Sequence, residues 1–447
     1  MAEQPERLRI GRTLKIGTFH IGSAFADMLT SAVWNRILIS NLGIPATPVA
    51  LLSALRYLLA PLSIWAGHRS DTHPIFGLYR LPYIWLGRLL MLITLPLIPL
   101  VTIMLAADHA SVAGWALACV AFLIYGVGGL LSGSTLLALI RDSAPPTKRG
   151  MALSIIQIFL VVSFPIAAIV YGRMMPNYDI GTFWTIIWVG TGIAALFWFF
   201  ALVGEERPKP QPTTDEVIAE PMPFTVLLRT MWADQSARLF FLFLALASIS
   251  AFAQDAILEP FGGDVFGLDV GETTRFNSYW GAGIILSMLI TIFFTHRRAA
   301  HEQTNTAIIG LVCTALPLLL LAWVSLSGTK ALLIPTLILF GLGYGIYTVG
   351  GIALLMAMTS DQRAGAYLGL WSVAQLLFRG VGIAAGGIIR DIVLSITGVH
   401  ASAYAAVFAL EAVGLLVCIY LLIRVDVPRF ASRQPIAAPS PLAALAD

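Results

Sequence analysis

The chain has 447 residues, of which 58% are hydrophobic and only 11% charged, with a formal net charge of +3. Soluble domains carry about a quarter charged residues, so a soluble globular core is excluded. A charge this small also gives no argument for a nucleic-acid partner. Apolar runs long enough to cross roughly 30 Å of hydrocarbon recur from end to end. They predict twelve spans, at residues 14–41, 46–67, 82–106, 112–140, 151–171, 181–203, 237–259, 275–295, 304–326, 331–358, 366–394 and 402–423. The expected fold class is therefore an all-α polytopic membrane protein.

Ahead of the first span, residues 1–15 carry charges but no short apolar region with a small-residue cleavage site. The expectation is that no signal peptide is removed and that the first span directs insertion. Within that span Gly17, His20, Ala24, Asp27, Ser31 and Asn35 recur at spacings of three and four, a small and polar stripe suited to helix packing or to a cavity wall. His20 is the histidine placed inside a span, where neutral imidazole is either an axial metal ligand or a hydrogen-bonded packing residue. Asn35 beside Arg36 puts two polar groups at one depth. Arg36 and Arg88 lie nearer span ends than middles, where long stems snorkel to the interface.

Four charges count to mid-span: Asp27, Arg56, Arg379 and Glu411, one acid and one base in each half. An unpaired charge there costs at least a few kcal/mol, so pairing or a wet cavity is expected. They form either a central polar site or structural ion pairs. In span eleven Trp371, Gln375, Arg379, Gly382 and Gly386 make a second stripe, whose glycines admit a partner helix or a flat ring. Cys119, Cys313 and Cys418 each stand alone in apolar runs and are expected to pack, with no disulfide or metal-ligand spacing.

Alternating loops assign 19 Lys and Arg residues to one side and 4 to the other, which places both termini in the cytoplasm. The halves repeat. Gly126-Val127-Gly128 and Pro146-Thr147-Lys148-Arg149-Gly150 match Gly341-Leu342-Gly343 and Asp361-Gln362-Arg363-Ala364-Gly365 at a constant offset of 215. Two six-span halves in parallel repeat is the major facilitator architecture. The domains are then a first half at 1–203, a linker at 204–236, a second half at 237–424 and a disordered tail at 425–447. In the linker Phe224, Leu227, Leu228, Met231 and Trp232 have the spacing of a helix lying in the membrane interface, with a structural bridge as its plain role. Residues 259–274 read as a glycine-rich, acidic outer loop. No nucleotide-binding glycine loop, paired Cys/His motif or nucleophile elbow occurs, which argues against an enzyme.

Three segments carry a resemblance. The turn Gly67-His68-Arg69-Ser70-Asp71 keeps the Gly-x-x-x-Asp spacing of the major facilitator loop between spans two and three, whose aspartate latches the two halves. The basic run that normally follows is replaced by Thr72-His73-Pro74. Around it stand Asn35-Arg36 with Leu42-Gly43-Ile44-Pro45, the continuation Arg80-Leu81-Pro82-Tyr83-Ile84-Trp85-Leu86-Gly87, and the stretch Glu259-Pro260-Phe261-Gly262-Gly263-Asp264-Val265-Phe266-Gly267. Together these resemble the PucC/LhaA family of light-harvesting assembly proteins, also called the bacteriochlorophyll delivery family.

The resemblance implies a multi-pass protein of the bacterial inner, photosynthetic membrane that hands (bacterio)chlorophyll to the α and β antenna polypeptides. The reaction-centre complex and chlorophyll synthase are further partner candidates. His20 would then be the candidate ligand of the chlorin magnesium. His20, Asp27, Asn35, Arg56, Trp371, Gln375 and Arg379 are the candidate pigment contacts. Two rival readings stand beside it. One is a proton-coupled secondary transporter with Asp27 as the protonated carboxylate and Arg56 or Arg379 as substrate clamp. The other is a pigment-free membrane scaffold.

Overall fold

The computed structural model describes residues 8–145, 148–206, 232–295, 298–358, 364–425 and 427. The expected linker helix except Trp232, Pro146 and Thr147 of the first repeat motif, Asp361, Gln362 and Arg363 of the second, and nearly all of the tail lie outside these. Eleven helices in the described residues are long and apolar enough to cross a membrane. They are the second to twelfth spans: Ala46–Thr72, Leu81–Ala107, Val112–Ser143, Met151–Met174, Ile180–Phe200, Gln235–Ala256, Val270–Thr295, Thr304–Ser327, Lys330–Ala357, Leu370–Thr397 and His400–Val425.

The first expected span is also helical, over residues 10–41, but in pieces. Phe19–Met28 is followed by a π turn at Leu29–Val33, a short α segment at Trp34–Arg36 and a second π turn at Ile37–Asn41. Each π turn admits an extra residue and rotates everything beyond it. The stripe expected from a fixed helical period therefore does not stay on one face. Asn35 is turned against span two, where it accepts a hydrogen bond from Ser53 at 3.1 Å.

Two other spans are broken near their polar residues. Span two is interrupted after Leu58, where Pro61 has no N–H to give and tight turns carry the chain to Leu62. Span seven ends in a 3-10 turn at Ala253–Ala256. The residues expected to form an outer loop are instead helical: Leu258–Phe266 is one short helix, and Val270–Thr274 runs on into span eight. Asp269 and Glu272 form a capping box there, which is why the helix starts earlier than hydropathy indicated.

The sequence repeat is a structural repeat. A Cβ at Gly126 would strike the backbone of Arg56 in span two, and one at Gly341 would strike Trp280 in span eight. Likewise Gly128 lies on Gly87 of span three and Gly343 on Cys313 of span nine. The same two glycines thus let spans four and ten approach equivalent neighbours in the two halves. The halves meet through span two against span eleven and span five against span eight. Of the three cysteines Cys418 is buried, Cys313 half-buried and Cys119 exposed on the bundle surface, so the expected packing role does not hold for Cys119.

Candidate functional site

At the centre of the first half, Asp27 of span one faces span two. Its Oδ1 accepts from Arg56 at 3.1 Å and from the Tyr125 hydroxyl of span four at 2.8 Å. The expected mid-span charges are therefore paired here.

The second-half pairing differs from the expectation. Arg379 of span eleven donates to Asp255 at 2.7 Å, not to Glu411. Asp255 lies in the 3-10 turn that ends span seven. Glu411, fully buried on span twelve, instead accepts from the Gln254 backbone N–H at 2.6 Å. It thereby caps a backbone group that the broken helix leaves without an internal partner. The two ion pairs converge on one ring. Arg56 and Arg379 each place Cζ 4.8 Å from the Tyr57 centroid, and Arg379 also lies 4.1 Å from the Phe252 ring. Two like charges from opposite halves thus share one tyrosine face system, each neutralised by its own aspartate.

Neither arginine expected to snorkel does so. Arg88 is 7% exposed and sits between Phe19 at 4.4 Å and Trp198 at 4.5 Å. Arg36 is 4% exposed and donates to Asn41 at 2.9 Å and to the Leu268 carbonyl at 2.7 Å. In both cases a neighbouring element covers the guanidinium before it can reach water. His20 is half-buried beside Phe19, and its Nδ1 makes no hydrogen bond among the described residues. Trp371 is fully buried against Phe240 and Phe241. Gly382 and Gly386 admit the backbone of span seven at Ile249 and Ala253, so the close approach is a helix and not a ring.

Two half-open hollows among the described residues lie one in each half. One, of about 440 Å³, lies between spans one, five and six and is lined by Ile21, Phe25, Phe159, Val162, Ile193 and Phe197 among others, with Ser163 as a polar member. The other, of about 400 Å³, lies in the second half between spans seven, ten and eleven, where Arg379 and Gln375 face Phe252, Tyr344 and Tyr347. Of the expected site residues, Gln375 and Arg379 line the second cavity; His20, Asp27, Asn35, Arg56 and Trp371 line neither.

The end of the bundle that the charge count puts outside is closed by contacts across the halves. Asp391 of span eleven accepts from the backbone N–H groups of Ala46 at 3.0 Å and Thr47 at 2.7 Å, capping the start of span two. Arg390 bonds Asp391 and Asp264, each at 2.8 Å, and the Tyr404 hydroxyl donates to Asp264 at 2.6 Å. Glu259, buried on the same short helix as Asp264 with Asn277 donating at 2.6 Å, has its carboxyl pushed up by burial to about 7. At the opposite end, Arg80 holds Asp71, Asp142 at 3.5 Å and the Ser70 hydroxyl at 2.8 Å. All of these belong to the first half. The turn expected to latch the two halves latches one of them internally, because Arg80 supplies the cation the missing basic run would have given.

Sequence reasoning missed Asp255, Tyr57, Tyr125, Asp264 and Asp391. Asp255 and Asp391 were visible as acids near span ends, but their partners are more than a hundred residues away.

A family model described as PUCC protein matches residues 33–430. The chain is 26% identical over 430 residues to "Protein PucC" of Rhodobacter capsulatus, covering 93% of this chain and 92% of that one. It is 28% identical over 428 residues to the "Bacteriochlorophyll synthase 44.5 kDa chain" of the same species, covering 94% and 96%. Among solved structures, a D-xylose-proton symporter superposes with a TM-score of 0.67 at 13% identity, covering 92% of this chain and 96% of that one. At that identity the likeness shows the fold alone, which is the major facilitator fold.

Proposed function

The chain belongs to the PUCC protein family, and we propose that it is a non-enzymatic assembly factor for photosynthetic light-harvesting complexes that binds (bacterio)chlorophyll and delivers it to antenna polypeptides. In this reading it resides in the bacterial inner membrane with both termini cytoplasmic. The observation that carries it is the groove between spans one, five and six, whose walls are almost wholly aliphatic and aromatic. Such walls suit a flat apolar cargo drawn from the bilayer better than a polar solute. At the centre Arg56 and Arg379 are each paired with an aspartate of the protein. His20 stays the magnesium-ligand candidate because its buried Nδ1 has no hydrogen-bond partner among the described residues.

The test is purification in mild detergent together with a deletion strain. Co-elution of chlorin Qy absorption, and loss of antenna complexes on deletion, are expected; absence of both overturns the proposal. Antenna loss with a pigment-free preparation that retains protein partners would favour a scaffold.

One observation favours a second reading, proton-coupled transport. The Asp27 side chain remains 32% exposed at mid-span although Arg56 and Tyr125 share it, and an accessible carboxylate at that depth marks a solute or ion path. Uptake into proteoliposomes driven by a proton gradient, and abolished by Asp27→Asn, would establish it.

A further inference from the structure

The charge count puts only four Lys and Arg residues outside: Arg173, Arg275, Lys330 and Arg390. Arg390 is paired with Asp264 and Asp391. Arg275 and Lys330 have no ion pair among the described residues, yet both line one small hollow between the starts of spans eight and ten. Arg275 gives its Nε–H to the Gly271 carbonyl at 3.0 Å, and its two terminal nitrogens have no partner there. Glu272 also lines the hollow, but its carboxylate accepts from the Asp269 N–H at 3.1 Å in the capping box and pairs with neither cation.

Cations are sparse on the outer side of membrane proteins, so two that converge without a counter-charge call for an anion from elsewhere. The hollow holds about 100 Å³. That is room for about three waters, and well below the roughly 300 Å³ at which sites for whole solutes begin. It therefore takes one group of a molecule whose bulk lies elsewhere. The apolar lining shows where. Phe276 and Leu333 are buried beneath the cations, while Tyr279 and Ile334 are more exposed. Each heads an exposed apolar row along its span, with Leu286 seven residues after Tyr279 and Ile338 four after Ile334. A guanidinium and an ammonium are the usual partners of a phosphate, and acyl chains joined to it would lie along those rows. With Glu272 counted, the lining carries one net positive charge, which a phosphodiester cancels. A zwitterionic headgroup would add a further cation beside the two already there. We infer that this hollow is a headgroup site for an anionic phospholipid, whose phosphodiester sits between Arg275 and Lys330. The site is separate from the groove and does not rest on the pigment-delivery reading.

The experiment uses the full-length protein, delipidated in mild detergent, with bound lipid read by native mass spectrometry. It is titrated with phosphatidylglycerol, with phosphatidylcholine of the same acyl chains, and with inorganic phosphate. The first phosphatidylglycerol should bind at least about tenfold tighter than phosphatidylcholine, and inorganic phosphate should not displace it. Arg275→Gln combined with Lys330→Gln should weaken that first binding at least about tenfold. The charge-matched pair Arg69→Gln and Arg141→Gln, exposed at the other end of the bundle, should leave it unchanged. Lys330→Glu alone alters an exposed position and should weaken binding even if the double variant folds poorly. Equal binding of the two lipids, or equal loss in both double variants, overturns the site, since charge anywhere on the surface would then suffice. Displacement by inorganic phosphate overturns the lipid assignment. None of these results bears on pigment delivery, which chlorin co-elution tests by itself.

Discussion

The guanidinium of Arg36 lies against the backbone of Gly263 and donates past it to the carbonyl of Leu268 at 2.7 Å. Arg36 and Gly263 come from two of the stretches that carry the family resemblance, more than two hundred positions apart. Any Cβ at position 263 would overlap Arg36 and Ser40. Gly263→Ala should therefore displace the guanidinium from Leu268 and cost about 1–3 kcal/mol. Thermal unfolding in detergent checks this, and an unchanged midpoint would show that Arg36 has room to swing aside.

Asp391 joins the halves through backbone groups. Asp391→Ala leaves the N–H groups of Ala46 and Thr47 without their acceptor and should cost about 1–2 kcal/mol, as other helix caps do. Loss of the cap should also raise the reactivity of a cysteine introduced at Thr47 toward a membrane-impermeant maleimide. If labelling is unaffected, the closure of this end depends on other contacts.

The Tyr57 ring between Arg56 and Arg379 makes a contrast between two substitutions. Tyr57→Phe keeps the aromatic face and should change stability by less than about 0.5 kcal/mol, whereas Tyr57→Leu removes it and should cost about 1–2 kcal/mol. Equal effects of the two variants would mean that the hydroxyl or simple volume matters more than the cation contact.

Asp255 and Arg379 should behave as a coupled pair. Asp255→Asn leaves Arg379 uncompensated, Arg379→Gln leaves Asp255 so, and each is expected to destabilise more than the double variant does. A coupling of about 1–2 kcal/mol is expected for a pair this incompletely buried. Additivity within about 0.5 kcal/mol would argue that the pair is solvated.

Glu259 makes stability depend on pH. Burial raises its carboxyl from 4.5 to about 7 in the folded protein, so folding favours the protonated form. The sign follows from linkage: no penalty exists below the unfolded value of 4.5, and a destabilising contribution grows as pH rises and is complete above about 7. Unfolding midpoints of the native chain should fall across that window relative to Glu259→Gln. Parallel curves for the two proteins would exclude Glu259 as the titrating group.

Hydropathy and charge are local properties, and they were enough to locate eleven of the spans within a few residues and to identify two repeated halves. The glycine pairs at 126/128 and 341/343 were legible because close helix approach needs them at the same place in each half. A local period could not anticipate the two π turns of the first span, since their cost is met by packing from elsewhere. For the same reason the sequence located Asp27, Arg56 and Arg379 at the membrane centre but could not say which carboxylate answers which arginine. That assignment depends on a break in span seven that lowers Asp255 onto Arg379 and leaves Glu411 to cap the broken end. Tertiary structure alone decided that Arg36 and Arg88 are covered instead of snorkelling. Whether a long side chain reaches water depends on what lies beside it, and that neighbour is set by packing between distant parts of the chain.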